Sequence, residues 1–184
     1  MNIEKEIKLL IEKDEYEKLD AFFDWDAQIQ QTNHYYHCTG KAHYSSVRVR
    51  QIGDRFFLQV KMPVSEDGTL FIKKEYEKEL ENVPPALSAA QLKELTGADL
   101  GDAVLMGKLF TLRKTAHIGS CEVCLDKSEY LGITDHELEL EYTGEYPQEI
   151  IDKIRALGID TERRPSGKYA RFIDRYIKSG AAER

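Results

Sequence analysis

Glu4, Glu6 and Lys8 occupy every second position near the start of the chain. A β-strand sends alternate side chains to opposite sides, so these three share one face. Ile3, Ile7, Leu9 and Ile11 share the other, with Lys5 among them. Two acids and a base in a row have two uses. One is a solvated sheet face. The other is a charged interior that holds a metal ion and a polyanion. Later segments repeat the alternation and sort it by sign. Arg48 and Arg50 are paired bases, and Lys61, Lys73 and Arg113 are single ones. Glu75 with Glu77, Asp126, and Glu137 with Glu139 and Glu141 are the acids. A sheet with one wet face also alternates. It has no need of paired acids on three strands and paired arginines on another.

A triphosphate needs such a division. Arginine forks and lysine ammoniums neutralise non-bridging phosphate oxygens. Carboxylates repel phosphate, but they hold Mg²⁺ or Mn²⁺, hard cations that bridge carboxylate and phosphate oxygens. Like charges gathered inside a fold are prohibitive unless paired or metal-bound, so a charged interior of this kind is wet.

The elements that must carry these residues read from the pattern. Strands are expected over 1–11, 27–38, 45–52, 55–62, 69–80, 108–118, 121–126 and 136–142, mostly linked by hairpins. Helices are expected over 14–23, with Asp14 as N-cap and an apolar stripe of Tyr16, Leu19, Phe22 and Phe23, and over 87–95, opening near Ser88. Further helices are expected over 147–157 and 168–177, and 97–107 reads as loop with a helical turn. About eight antiparallel strands are enough to close a barrel. The expected class is mainly β (α+β): an eight-stranded antiparallel closed β-barrel or tunnel with flanking helices, one domain over 1–184.

Composition narrows the function classes. Charged residues make up 32% of the 184 and the net charge is -7. That balance speaks for a soluble globular protein and against a duplex nucleic-acid binder, which carries a basic excess. No apolar run is long enough for a membrane helix, and the N-terminus lacks an apolar signal core. Cys38, Cys121 and Cys124 form no disulfide framework, which fits a reducing cytoplasm. Cys121 and Cys124 spell CxxC, but in a strand they point to opposite faces and do not pair on a zinc. The five histidines show no metal spacing. Glu137 reads as a peripheral surface acid, Glu79 and Glu81 as a solvated strand end, and Lys74 as outward-facing. Ser166-Gly167-Lys168 lacks the leading glycine of a P-loop.

In order, these segments resemble the CYTH superfamily, the triphosphate tunnel metalloenzymes. Glu4-x-Glu6-x-Lys8 is similar to its ExExK signature, Arg48-Val49-Arg50 to its RxR strand, and Leu58-Gln59-Val60-Lys61 to its lysine strand. Lys73-Lys74-Glu75-Tyr76-Glu77 resembles its R-x-E-x-E strand, with Lys73 in place of arginine. Thr111-Leu112-Arg113, Asp126, Glu139-Leu140-Glu141 and Lys168 resemble the later basic strand, the aspartate strand, the closing ExE and the lysine near the C-terminal helix. The resemblance spans nearly the whole chain and is nearest to small stand-alone bacterial members. It implies a cytoplasmic hydrolase of inorganic tripolyphosphate or a small organic triphosphate such as thiamine triphosphate, dependent on Mg²⁺ or Mn²⁺. It implies metal ligands among Glu4, Glu6, Asp126, Glu139 and Glu141. Phosphate contacts would come from Arg48, Arg50, Lys61, Lys73, Arg113 and Lys168. Lys8 would act with Glu4 and Glu6 in catalysis by orienting water or the terminal phosphate. Glu75 and Glu77 would brace the bases or help a second metal. The expected partner is the small triphosphate alone, with no duplex nucleic acid and no membrane, in a monomer or homodimer. Rival readings are a class IV adenylyl cyclase making cyclic AMP from ATP, a non-catalytic polyphosphate or nucleotide binder, and a barrel whose charged face is only solvated.

Overall fold

The computed structural model describes residues 5–40, 45–63, 73–163 and 165–180, without the side chains of Pro63 and Lys73. The chain forms two compact units, Met1–Gln30 with Phe110–Arg184, and Gln31–Leu109. Elements run β1 (Lys5–Ile11), α1 (Lys13–Phe22), β2 (Ala27–Cys38), β3 (Ser46–Ile52), β4 (Arg55–Pro63), β5 (Lys73–Leu80), β6 (Ala86–Leu87), α2 (Ala89–Thr96), β7 (Ala103–Ile118), β8 (Cys121–Tyr130), β9 (Ile133–Tyr142), α3 (Gln148–Ala156) and α4 (Lys168–Lys178). β2 and β7 are each divided between the units. Glu4 lies outside the described residues, so the start of the first motif has no structural account.

In the first unit β1, β9, β8 and β7 form an antiparallel ladder in that order. Its alternation buries one face. Ile7, Leu9, Ile11, Val123, Leu125, Leu138 and Leu140 pack against Leu19 of α1 and Ile150, Ile151 and Ile154 of α3. Each such side chain contributes roughly 1.5–3 kcal/mol on burial. In the second unit β2, β3, β4 and β5 form another antiparallel ladder, and β6 pairs with β7. Tyr36, Val47, Val49, Leu58 and Val60 pack there with Leu87, Leu92 and Leu100. The mainly β class with flanking helices is as expected. Among the described residues β1 pairs only with β9 and β5 only with β4, so the expected closed barrel is not closed by hydrogen bonds. Among the same residues no helix is long and apolar enough to cross a membrane.

Several boundaries differ from the sequence reading. β7 already starts at Ala103, within the segment expected to be loop, because Ala103 and Val104 pair with β6 and Ala103 is buried. Close by, Gly40 donates its N–H to Leu100 O, and a Cβ at Gly40 would meet Leu100 backbone at 2.4 Å. β8 and β9 run to Tyr130 and from Ile133, longer than expected, as one hairpin. Of the apolar stripe expected on α1, Phe22 is 44% exposed, whereas Phe23 is buried.

The cap of α1 is Glu12 rather than Asp14. Its N–H donates to Glu15 Oε2 at 2.7 Å. Glu15 is fixed in turn by Arg163, whose Nη1 and Nη2 donate to its two oxygens at 2.7 and 2.8 Å. Arg163 Nη1 also donates to Leu10 O. One fork therefore ties α1, β1 and the segment after α3. Arg163 holds the Glu15 carboxyl below its ordinary 4.5, against the opposing effect of burial. A lowered carboxyl stabilises the fold above its unfolded pKa, and that stability is lost as pH falls through the folded value. Glu15→Gln should therefore lower unfolding free energy by about 2 kcal/mol at neutral pH. The difference from the parent protein should shrink as pH is lowered from neutral to an acid value below 4.5. Urea unfolding at both pH values reads this out, and an equal deficit at both would refute it.

Candidate functional site

Antiparallel registry turns the charged motifs of the first unit into rows, because directly opposed residues point to the same side. Lys8 lies opposite Glu139, Glu6 opposite Glu141 and Leu10 opposite Glu137. Across β8, Asp126 faces Glu137 and Arg113 in turn. One face of this ladder therefore gathers Glu6, Lys8, Arg113, Asp126, Glu137, Glu139 and Glu141.

Two acidic groups share Glu139. Asp126, Glu137 and Glu139 each offer an oxygen within 4.8 Å of the others, and so do Glu6, Glu139 and Glu141. They differ in how their charge is met. Arg113 donates to Asp126 through Nε and Nη2 at 2.8 and 2.7 Å, and Nη2 also reaches Glu139. Lys168, at the start of α4, sends its ammonium between the three acids. It lies 2.8 Å from Asp126 and 2.6 Å from Glu139, and also pairs with Glu137. Arg171, one turn on, pairs with Glu137 at 2.8 Å and Asp135 at 3.0 Å. Phe172 secures the same helix by burial beside Tyr130. The Asp126 group is thus compensated by three bases.

The Glu6 group is compensated only in part. Lys8 lies 2.8 Å from Glu6 and 3.4 Å from Glu139. Among the described residues no base stands within ion-pair distance of Glu141. Burial and the charge of Glu139 push the Glu141 carboxyl above the usual range. Burial would do the same to Glu139, but Lys168 and Arg113 hold it well below. Glu137 is raised, chiefly by burial. Three clustered carboxylates, one of them without a paired base, suit a hard divalent cation, so the residues present fit a metal at Glu6, Glu139 and Glu141. Cys124 also lies on this face, opposite Glu139, and burial pushes its thiol up to about 12.

The second unit carries a basic face. Arg48 and Arg50 lie side by side on β3, opposite Gln59 and Phe57 of β4. Arg48 donates through Nε to Gln59 at 2.8 Å, and Arg50 to Asn33 at 3.1 Å. Lys61 pairs with Glu75 at 2.5 Å, and Gln59 donates to Glu77 at 2.7 Å. Lys61 helps hold the Glu75 carboxyl below its ordinary value, although burial opposes it. Lys73 stands in β5, opposite Pro63.

A model of the CYTH domain matches residues 2–164. The chain belongs to the CYTH family. No curated protein matches it. Among solved structures it is similar to a candidate adenylate cyclase from Bacillus halodurans, at 20% identity and TM-score 0.67, over 94% of this chain and 97% of the other. It is also similar to a candidate adenylyl cyclase from Hippeastrum, described as having a dominant triphosphatase activity. That match has 19% identity and TM-score 0.68, over 95% and 96% of the two chains. A Pyrococcus horikoshii protein follows at 18% identity and TM-score 0.59, over 92% and 99%. At these identities the likeness concerns the fold.

In this CYTH domain, Glu6, Lys8, Arg113, Asp126, Glu139, Glu141 and Lys168 come together in the first unit. Arg48, Arg50, Lys61, Glu75 and Glu77 come together in the second. Two residues escaped the sequence reading. Glu137, expected at the surface, is 1% exposed and salt-bridged, because α4 covers it. Arg171 was not singled out at all. Its signal was the stripe Lys168, Arg171, Phe172 and Arg175, at the spacing of one helix face. Lys168→Met removes the ammonium shared by three buried acids. It should lower unfolding free energy by on the order of 3 kcal/mol at neutral pH. Urea unfolding without divalent metal checks this, and an unchanged midpoint would show that the acids do not need Lys168.

Proposed function

We propose that this CYTH domain is a cytoplasmic, divalent-metal-dependent triphosphatase, acting on inorganic tripolyphosphate or a small organic triphosphate. The observation that carries the reading is the trio Glu6, Glu139 and Glu141, with Lys8 among its carboxylates and no base paired to Glu141 among the described residues. The paired arginines of the second unit and the described triphosphatase activity of the Hippeastrum relative support it.

Glu6, Glu139 and Glu141 would hold the cation, joined by Glu4 on the family pattern. When bound, Mg²⁺ or Mn²⁺ supplies positive charge that neutralises phosphate oxygens and acidifies water. The remaining work is positioning and electrostatics, as phosphoryl transfer requires. Lys8 orients the terminal phosphate or the attacking water. Its ammonium is kept charged by Glu139 and Glu6, which outweigh the opposing effect of burial. Arg48, Arg50, Lys61 and Lys73 bind phosphate oxygens, with Glu75 and Glu77 bracing Lys61 and Gln59. Arg113 and Lys168 match phosphate contacts of the family, but here their charge is directed at Asp126, Glu137 and Glu139. We assign them to holding those acids in place, and Asp126 with them.

The test is phosphate release from tripolyphosphate, thiamine triphosphate, ATP and GTP, each with Mg²⁺ and with Mn²⁺. Glu139→Gln and Glu6→Gln should lower metal-dependent release by about 100-fold or more while the chain stays folded. Release unchanged in both variants would sink the proposal. With ATP, cyclic nucleotide in place of free phosphate would turn the reading to a cyclase. Binding of tripolyphosphate without turnover would turn it to a sensor.

A further inference from the structure

Three arginines of the charged faces are built alike. Arg48 lies directly opposite Gln59, Arg50 opposite Asn33 and Arg113 opposite Asp126. In each case the Nε–H donates to that cross-strand partner, at 2.8, 3.1 and 2.8 Å. A guanidinium is planar, so fixing its Nε edge also fixes the direction of the far edge. The geometry is common to all three, but the charge of the partner is not. Asp126 is a carboxylate and neutralises Arg113. Gln59 and Asn33 are amides and neutralise nothing.

Folding alone does not explain the amides. Asn33 is fully buried, and its Nδ2 has no hydrogen-bond partner among the described residues. A buried donor left unmet is unfavourable. An aspartate there would accept from Arg50 through either oxygen and leave no donor stranded. Gln59 shows the same choice differently. Its Oε1 takes Arg48 and its Nε2 donates to Glu77 Oε2 at 2.7 Å. It therefore bridges Arg48 and the Glu77 carboxylate. Among the described residues no carboxylate lies within ion-pair distance of Arg48.

We propose that Gln59 and Asn33 are positioning residues that aim Arg48 and Arg50 at phosphate oxygens through neutral hydrogen bonds, without adding a negative charge beside either. This rests on the triphosphate-binding reading above. An arginine paired with a carboxylate gives up much of its attraction for an anion, whereas an amide partner orients the guanidinium without itself neutralising it.

Calorimetric titration of the full chain with inorganic tripolyphosphate, with and without Mg²⁺, separates this from a structural role. The double variant Gln59→Glu/Glu77→Gln keeps the hydrogen-bonded row and the total charge, and moves the carboxylate next to Arg48. Glu77→Gln alone is its baseline. The double variant should melt like the parent protein and bind tripolyphosphate at least about tenfold more weakly than the baseline. Asn33→Asp should weaken binding in the same way, with an equal or higher melting temperature. If the double variant does not fold, Asn33→Asp and Gln59→Met decide. Gln59→Met should lose less affinity than Asn33→Asp, because it removes orientation without adding charge. Binding by the double variant or by Asn33→Asp as tight as its reference would overturn the proposal and leave triphosphate binding intact. Parent-like binding by Arg48→Gln would instead overturn the phosphate role of the arginines, and this proposal with it.

Discussion

Glu139 is 4% exposed and accepts from Lys168 and Arg113, with Lys8 at 3.4 Å. A carboxylate buried to that degree survives as an anion only among well-placed positive partners. The three bases come from β1, β7 and α4, so one buried charge sets how three elements meet. The docking of α4 is electrostatic through Lys168 and Arg171 and apolar through Phe172. The same carboxylate divides the acids into two kinds. On one side, Asp126 and Glu137 have their charge met. On the other, Glu6 pairs with Lys8, and no base stands within ion-pair distance of Glu141 among the described residues. A cation that enters this face finds unmet negative charge on the second side.

The two units handle charge by opposite means. In the first, arginine and lysine are set against acids, and the balance stabilises a crowded face. In the second, the amides of Gln59 and Asn33 hold the arginines, and Gln59 also links Arg48 to the Glu77 carboxylate. Cross-strand registry underlies both. Each arginine meets its partner because the two are directly opposed in an antiparallel ladder, and the identity of that partner decides whether the arginine is a brace or a binder.

Much of the fold was legible in the sequence. A run rich in β-branched and aromatic residues located β2 to the residue, and Ser88 marked the start of α2. The elements that were misread depend on contacts distant in sequence. Residues 103–107 lack a clear strand pattern and become strand by pairing with β6. The N-terminal cap of α1 falls at Glu12 because Arg163, far along the chain, holds Glu15. Glu137 looked like a surface acid because nothing local says that a helix over thirty residues away will cover it.

The sequence by itself determined which residues share a face, since a period of two needs no partner to be read. From that came the charged faces, their sorting by sign and the family. Tertiary structure decided which charges meet. Registry sets Arg113 against Asp126 but Arg48 against Gln59, and the docking of α4 brings Lys168 among three acids. Spacing along one strand carries no information about the strand beside it, and a side chain's charge matters only in relation to what stands opposite.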